Sequence, residues 1–425
     1  MSEHRAPKDG LILAVNAGSA SLKISLYRRA EKSSSTSRHG VVELLLTGRE
    51  AKNVSAEGIK DHAYFLNHLK NESKIAKGSI VHVCHRVVHG GDYYEPVIID
   101  SESYHYIENL SDLAPLHNGA ALSVMKSAIE ALPKASSIAY FDTSFHRSLP
   151  LHIASYAINT EVAQKRGLKK YGFHGLSYAY ILGAVGYYLQ KDTSSLNLIV
   201  MHLGSGASIC AIRNGRSLDT SMGLTPVSGL PGATRSGLVD PSLIFHYTNR
   251  AGRITHDPSQ AVDVRVTQAE EILNTESGWN ALTGTSDFGE VVKHMKEHQQ
   301  TDATAGKNVA DWKSDAKWKL AFDLFVDRIV GFVGSYYLRL GGKVDALVFS
   351  GGIGEKSAEL REAVVRSAEC IGFQLDQAAN AKASKEEGAV LNVGKRADFC
   401  RVRMCRTDEQ LEMAKESALA EKFWQ

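Results

Sequence analysis

Two segments of the chain repeat one pattern of apolar and polar positions. In residues 11–27 and again in residues 198–212, an apolar run enters a short segment of small residues, and a second apolar run follows. Two apolar runs joined by a small polar turn predict a β-hairpin, and the glycines allow positive φ in the turn. The repeat predicts two similar domains that face one cleft.

The turns of both hairpins suit the binding of a phosphate. Their backbone N–H groups can converge on an anion because no large side chain intervenes, and Ser19, Ser21 and Ser205 add hydroxyl donors. An ordinary tight turn has the same composition, so the sequence of either hairpin alone leaves both interpretations open.

Elsewhere the chain alternates short apolar runs with helical periodicity, as α/β domains do. A short buried strand ends at Asp142, and chemistry in α/β domains lies at the carboxyl ends of strands. The other predicted elements are a strand over 81–88, a loop over 113–119 leading into a helix that ends near 131, a helix over 318–340, and a strand over 344–349 followed by a glycine loop over 350–357 and a helix from 359.

Size and charge narrow the classes of protein. At 425 residues, with 43% hydrophobic and 23% charged residues, the chain is long enough for two or three globular domains. A second unit is predicted to begin after Pro150. The net charge is +2 and the basic residues are scattered, so we expect neither nucleic acid nor a membrane as a partner.

The cysteines and the N-terminus bear on the compartment. The five cysteines follow no zinc spacing, and the first ten residues are polar, without the apolar segment of a secretory leader. No apolar run approaches the roughly 18 residues that span a bilayer. We therefore expect a cytoplasmic protein.

Two arginines stand where a positive charge needs an anion. Arg86 interrupts an apolar strand, and Arg235 lies in a loop flanked by Gly232 and Gly237. A buried guanidinium is costly unless it meets a carboxylate or a phosphate, and phosphoryl transfer needs positive charge around the oxygens that gain charge. The two arginines could clamp a phosphoryl group, although each alone could equally be half of a salt bridge.

Three histidines resemble a metal site only superficially. His82, His85 and His89 would stack on a helix, but the valines around them predict a strand, on which His82 faces away from the other two. The pattern therefore does not favour a metal site formed by these histidines.

Five motifs, in order along the chain, resemble those of the acetate kinases. The likeness covers nearly the whole chain, and its specificity is far beyond that of a single glycine loop. The motifs are NAGSASLK at 16–23, HRVVHGG at 85–91, FDTSFH at 141–146, YGFHG at 171–175 and ATRSG at 233–237.

The resemblance implies a fold and a reaction. It implies an α/β protein of duplicated actin-like ATPase (ribonuclease H-like) domains facing a central cleft. It also implies a kinase that interconverts acetate and ATP with acetyl phosphate and ADP by direct in-line transfer, assisted by Mg²⁺, with Mn²⁺ as an alternative. The expected domains are 1–150, completed by the C-terminal segment 408–425, and 151–407, which carries the nucleotide site and a homodimer interface.

The resemblance also implies catalytic roles at matching positions. Arg86 and Arg235 bind and neutralise the phosphoryl group, and His174 donates a hydrogen bond to it. Asp142 orients either the attacking carboxylate or Arg86. The metal ligands implied are Asn16 and Glu409.

The resemblance also implies an acetate-binding region and a nucleotide-binding region. Apolar residues of the acetate-binding region enclose the acetate methyl group. The acetate-binding residues implied are Asn16, Arg86, Val88, Leu116, His117, Phe173 and Pro226. The phosphate- and nucleotide-binding residues implied are Ser19, Ser21, Lys23, His202, Gly204, Ser205, Gly206, Asp287, Phe288, Gly352, Ile353 and Gly354.

The nucleotide side departs from the family at three positions. Ser205 and Lys356 replace the usual asparagines, and Gly289 replaces the usual arginine. These changes admit pyrophosphate with orthophosphate as donor and acceptor, but Gly352 and Ile353 are retained and favour ATP. Tyr178 also departs, and the sequence leaves open whether it packs at the cleft or at a dimer surface.

Two further functions remain open from the sequence. The same fold could act on propionate or butyrate, because a small apolar pocket discriminates by only about 1 to 3 kcal/mol per methylene. A catalytically silent nucleotide-binding regulatory protein is the alternative outside enzymes. The joint presence of Arg86, Asp142, His174, Arg235 and Glu409 speaks against it, because mere binding needs no transfer machinery.

Overall fold

The computed structural model describes residues 7, 9–17, 22–30, 41–49, 77–110, 115–248, 254–256, 265–299, 316–395 and 401–424. The strands are β1 Leu11–Ala17, β2 Leu22–Arg29, β3 Val42–Arg49, β4 Ile80–Val87, β5 Val97–Ile98, β6 Ser136–Phe141, β7 Leu198–Leu203, β8 Ala207–Arg213, β9 Arg216–Thr220, β10 Ile254–His256, β11 Arg265–Thr267, β12 Ala346–Ser350, β13 Val390–Asn392 and β14 Arg401–Cys405.

Helices connect and cover these strands. They are α1 Ser101–Asn109, α2 Pro115–Ala131, α3 Leu151–Ala154, α4 Thr160–Arg166, α5 Gly175–Leu189, α6 Leu243–Thr248, α7 Gln268–Thr275, α8 Gly278–Thr283, α9 Phe288–Gln299, α10 Ala316–Arg339, α11 Gly351–Lys356, α12 Ala358–Ser367, α13 Gln377–Lys382 and α14 Glu409–Leu419. Among the described helices, none is both long enough and apolar enough to cross a membrane.

The two large sheets have the same topology. The first runs β3-β2-β1-β4-β6-β5, and the second runs β9-β8-β7-β12-β14-β13. In each, three antiparallel strands are followed by two parallel strands and an antiparallel edge strand. The duplication predicted from the two hairpins is confirmed, because β1–β2 and β7–β8 hold equivalent places in the two sheets.

Side chains of each central strand alternate between two helical layers. In β1, Leu13 faces the core beneath α2, and Ile12 faces the core beneath α14. In β7, Met201 faces the core beneath α10, and Val200 faces that beneath α5. Helices α5 and α14 pack against each other, so this pair lies between the two sheets.

Two predictions of loop structure are wrong. Helix α2 begins at Pro115, within the predicted loop, because proline is well tolerated in the first turn of a helix. The predicted glycine loop after β12 is the short helix α11, which Gly351 enters with φ of 75°. A strand followed directly by a helix brings the first helical turn to the edge of the sheet.

Candidate active site

A cavity of about 590 Å³ lies between the two halves of the molecule. This volume is typical of sites for small ligands. The predicted site residues that line it are Asn16, Lys23, Arg86, Val88, Asp142, Phe173, His174, His202, Gly204, Ser205, Gly206, Pro226, Arg235, Gly352 and Glu409. The structure thus brings together residues that the sequence separates by several hundred positions.

The ends of three strands position the first group of polar side chains. Asn16, Arg86 and Asp142 lie at or just beyond the carboxyl ends of β1, β4 and β6. These strands are parallel neighbours, so their carboxyl ends meet at one edge of the sheet. Glu409 reaches the same place from the first residue of α14.

Arg86 is the centre of this group. Its Nη2 donates to Asp142 Oδ2 over 2.7 Å, and its Nε lies 3.2 Å from each carboxylate oxygen of Asp142. Its Nη1 donates to Asn16 Oδ1 over 3.1 Å and lies 3.3 Å from Glu409 Oε2. Of the two partners expected for Asp142, the structure shows Arg86.

Charge pairing sets the protonation of this group. Burial lowers the pKa of Arg86, but the carboxylates of Asp142 and Glu409 outweigh burial and hold the pKa above its ordinary value. Burial raises the pKa of Asp142 against the opposing charge of Arg86. For Glu409, burial is outweighed by Arg86 and His202, and the pKa lies below its ordinary value.

The second hairpin and the loop over 232–237 bring Arg235 to the same cavity. The Ser205 carbonyl accepts from the Ala233 N–H over 2.8 Å, so the loop is tied to the turn. A Cβ built on Gly206 would lie 3.0 Å from Arg235 Nη1 and 3.9 Å from His174 Nε2. The turn glycine therefore lets two donor side chains approach the hairpin backbone.

The positive charge of Arg235 is unfavourable in the folded protein. Burial, with the nearby charge of Arg86, lowers the pKa of its guanidinium to about 10. An anion between the two guanidiniums would reverse that repulsion. The electrostatics of this part of the cavity therefore favour an oxyanion.

His174 sits at the start of α5 with φ of 59°, in the left-handed region. A non-glycine residue there costs roughly 1–3 kcal/mol, and such residues concentrate at functional sites. Its ring stacks on His202, with centroids 4.2 Å apart. Burial lowers the pKa of His174 well below its ordinary value, and the neighbouring His202 and arginines add to the effect. The ring is therefore neutral at pH 7.

His202 belongs to a chain of hydrogen bonds with Ser177 and Thr407. Its Nδ1 lies 2.8 Å from the hydroxyl of Ser177, which lies 2.7 Å from the hydroxyl of Thr407. Burial lowers the pKa of His202 to about 4. The hydrogen bond to Ser177 orients the ring of His202, whose charge acts on Glu409, and the sequence carries no local signal for it.

A small apolar pocket adjoins Arg86. Val88, Phe173 and Met222 pack together, and Pro226 lines the cavity nearby. Met222 is not among the residues predicted from the sequence, and its only signal there is its position four residues before Pro226. The side chains of Leu116 and His117, both predicted to contact acetate, lie outside the described residues, as do Ser19 and Ser21 of the first hairpin.

The far end of the cavity is formed by the start of α11. Gly352 is exposed there, and a Cβ built on it meets nothing within 4 Å. Lys356 and Glu355 line the same end, and the Thr407 N–H donates to Glu355 Oε1 over 3.3 Å. Burial raises the pKa of Glu355. This end has both positive and negative groups and room for a bulky ligand.

Four residues predicted to contact the nucleotide are not among those that line this cavity. The side chain of Phe288 packs in the core with Trp279 and Phe325, since α9 turns its first residue inward. Ile353 packs against the same core, and Gly354 is buried behind the first turn of α11. Asp287 is exposed and caps α9 through the Gly289 N–H.

The side chains of His82 and His85 lie on different faces of the first sheet. His85 faces Ser137, whereas His82 packs against Trp424 on the other face of the sheet. The described residues contain no cluster of three or more histidine, cysteine or acidic side chains that could hold a metal. His82 and His85 thus lie on opposite faces of the sheet, as expected for a strand.

Comparison with known proteins places these features in context. A family model described as the acetokinase family matches residues 11–415. A probable acetate kinase from Emericella nidulans is 44% identical over 422 residues, covering 95% of this chain and 96% of that protein.

Two solved structures have the same overall fold. A propionate kinase from Francisella tularensis has a TM-score of 0.73 at 30% identity, and an acetate kinase from Porphyromonas gingivalis has a TM-score of 0.73 at 29% identity. Each likeness covers 96% of this chain and 98% of the other chain. The similarity therefore extends over both sheets and the cleft between them.

Proposed function

Since the chain belongs to the acetokinase family and is a kinase, we propose that it interconverts acetate and ATP with acetyl phosphate and ADP. The observation that carries the proposal is the approach of two buried arginines, Arg86 and Arg235, to one cavity beside a small apolar pocket. A short acid fits the pocket, and a phosphoryl group fits between the guanidiniums.

The acid is oriented by its two ends. The methyl group of acetate contacts Val88, Phe173 and Met222, and its carboxylate faces Arg86. Each added methylene must displace side chains of the apolar pocket, which costs about 1 to 3 kcal/mol. We therefore expect catalytic efficiency to fall from acetate to propionate and again to butyrate.

Transfer is direct and in line. A carboxylate oxygen of acetate forms a bond to the terminal phosphorus of ATP while the bond to the leaving oxygen of ADP breaks, and that oxygen keeps the electron pair. Arg86 and Arg235 stabilise the charge that spreads over the transferring oxygens, and His174 donates a hydrogen bond to them. Asp142 keeps Arg86 in place through the two-point contact.

The residues fit a metal that arrives with the nucleotide. Mg²⁺ is usually held by one or two carboxylates together with substrate phosphates. Glu409 supplies one ionised carboxylate in the cavity, and Asn16 holds it through a 2.5 Å hydrogen bond from Nδ2. Mg²⁺, or Mn²⁺ in its place, would neutralise phosphate charge there when bound.

ATP is the proposed donor, and pyrophosphate is the alternative. Room at Gly352 favours a donor with a base and a ribose. Titrating ATP, GTP and pyrophosphate against acetate tests this choice, and Gly352→Gln should raise the KM for ATP while leaving the KM for acetate unchanged. Use of pyrophosphate alone, with no effect of Gly352→Gln, would overturn ATP as donor.

The reaction itself is tested by trapping acetyl phosphate as its hydroxamate. Wild-type protein with acetate, Mg²⁺ and ATP should form the product, and Arg235→Ala should abolish it while leaving the fold intact by circular dichroism. Arg213→Ala is the matched control, because Arg213 is exposed on β8. If no combination of short acid and donor gave product, the proposed function would be wrong.

We further propose a homodimer. Leu238, Phe245 and Tyr247 are 62–66% exposed on the second half of the chain, and apolar side chains of this kind favour burial against a partner. Size-exclusion chromatography with light scattering should give the mass of two chains. The mass of one chain at assay concentrations would contradict this proposal.

A further inference from the structure

His174 is connected to a tyrosine on its own helix through a serine of the second hairpin. The Ser208 hydroxyl lies 2.8 Å from His174 Nδ1, and the Tyr178 hydroxyl lies 2.5 Å from Ser208 Oγ. Ser208 and Tyr178 have no exposed surface. Tyr178 therefore packs behind the cleft, which answers the question left open by the sequence.

The direction of these hydrogen bonds follows from the number of protons. Burial raises the pKa of Tyr178 well above its ordinary value, so the phenol keeps its proton at neutral pH. In the described part of the chain, Ser208 Oγ is the hydrogen-bond partner found for that hydroxyl. The phenol must donate to Ser208, because a buried O–H without an acceptor is costly.

The acceptor of the Ser208 O–H follows from the same reasoning. Its oxygen accepts from Tyr178, so its own O–H donates to His174 Nδ1. A neutral imidazole carries one N–H, and an accepting Nδ1 requires that the proton reside on Nε2. A serine oxygen can accept two hydrogen bonds, so the reverse arrangement, with Nδ1–H donating to the serine, would leave the Ser208 proton without an acceptor among the described residues.

The other ring nitrogen faces the place where a phosphoryl group would lie. His174 Nε2 and Arg235 Nη1 approach the same side of Gly206, at 3.9 and 3.0 Å from a Cβ built there. An N–H at Nε2 can donate to a phosphoryl oxygen, whereas an unprotonated Nε2 would repel it. The tautomer of His174 therefore decides whether the ring helps or hinders transfer.

We propose that Tyr178 is a positioning residue that acts through Ser208 to hold His174 as the Nε2–H tautomer, directed at the transferring phosphoryl group. The catalytic part of this inference rests on the proposed function. The tautomer itself does not, since it is a property of the folded protein without substrate.

The test removes one oxygen atom. In Tyr178→Phe the serine hydroxyl can turn either way, and both tautomers of His174 become populated. We expect kcat to fall about 10-fold, as the loss of one aligned hydrogen bond would cause, with the KM for acetate changed less than twofold. In ¹⁵N spectra of the substrate-free protein, the single Nε2–H pattern of His174 should become an average of two tautomers.

Two further variants separate positioning from packing. Tyr180→Phe is the matched control on the same helix, because Tyr180 contacts Lys415 and not Ser208, and it should change neither kcat nor the His174 spectrum. Ser208→Ala should reproduce the effect of Tyr178→Phe, and the double variant should be no slower than either single one. Ser208→Ala also provides the readout if Tyr178→Phe does not fold.

An unchanged His174 spectrum in Tyr178→Phe and Ser208→Ala would overturn the proposal, and so would additive losses of kcat in the double variant. If the protein transferred no phosphoryl group, the spectra alone would still decide the tautomer. Failure of the proposed function and failure of this inference are therefore distinguishable.

Discussion

Arg86 and Asp142, 56 residues apart in the chain, are joined side by side: Nη2 of Arg86 donates to Oδ2 of Asp142 over 2.7 Å, and Nε donates over 3.2 Å. The carboxylate side chain of Asp142 is only 1% exposed. This contact sets the direction in which the remaining nitrogen of Arg86 faces the cavity.

Replacing the Arg86 guanidinium by a single ammonium group tests whether its contact with Asp142 matters. Arg86→Lys keeps the positive charge but cannot contact Asp142, Asn16 and a substrate together. We expect kcat to fall by about 10²–10³-fold, as when an enzyme loses a donor to the transition state. Steady-state formation of acetyl phosphate measures this, with Arg213→Lys as the exposed control. Near-normal turnover by Arg86→Lys would show that charge alone suffices.

The hairpin turn leaves room for Arg235 only because residue 206 has no side chain. Gly206→Ala would place a methyl group 3.0 Å from Arg235 Nη1, so the guanidinium must move. We expect at least a roughly tenfold loss of kcat/KM, equal to about 1.4 kcal/mol.

Gly183→Ala is the control for that substitution. A Cβ at Gly183 meets nothing within 4 Å inside α5, so this variant should be fully active and more stable by up to about 1 kcal/mol. Equal activities of the two variants would argue against close packing at the turn.

Glu409 is expected to govern the metal requirement. Because Arg86 and His202 keep its pKa low, the carboxylate is charged throughout the neutral range. Glu409→Gln removes that charge and should raise the Mg²⁺ concentration for half-maximal activity by about tenfold or more, by analogy with a lost contact of at least 1.4 kcal/mol. Glu416→Gln, on an exposed turn of α14, should leave the Mg²⁺ titration unchanged. An unaltered titration in Glu409→Gln would remove Glu409 from the metal site.

The C-terminal segment 408–425 is proposed to complete the first domain. Trp424 is 1% exposed, its Nε1 donates to the Ser417 carbonyl over 2.7 Å, and its ring lies 4.4 Å from that of His82. Trp424→Ala should lower the free energy of unfolding by about 3–5 kcal/mol in urea titrations. Leu419→Ala, at an exposed position of α14, should cost far less. Equal stabilities would contradict the proposed domain boundary.

We expect the folded protein to lose stability in mild acid, because a buried histidine resists the protonation that the unfolded chain allows. Burial lowers the pKa of His82 to about 4, whereas the unfolded chain titrates near 6.5. Between these values the unfolded state binds a proton that the folded state does not, so the free energy of unfolding falls as the pH decreases through this window.

His82→Gln isolates this contribution. From pH 7.5 to pH 5, wild-type protein should lose about 2 kcal/mol more than His82→Gln, because the histidine contributes up to about 1.4 kcal/mol per pH unit. Urea titrations at the two pH values measure the difference. His105→Gln, on exposed α1, should behave like wild type, and an identical pH dependence in His82→Gln would assign the loss to other groups.

The sequence by itself determined the parts that depend on local pattern. Pairs of apolar runs around two small polar turns predicted β1–β2 and β7–β8, and hence the duplication. An arginine within an apolar strand predicted an anion or a carboxylate near Arg86. These inferences succeed because hairpin formation and the cost of a buried charge depend on residues that are neighbours in the chain.

Only the tertiary structure decided which distant groups meet. Asn16 and Glu409 are 393 residues apart, and nothing in either local pattern indicates their contact. The same holds for the contact between Tyr178 and Ser208. Phe288, for which the resemblance implied a nucleotide contact, packs its side chain in the core. Such contacts depend on how two sheets and the helices between them pack. The hydrophobic pattern drives this packing and specifies which face of a helix or strand is buried, but it does not specify which element that face packs against.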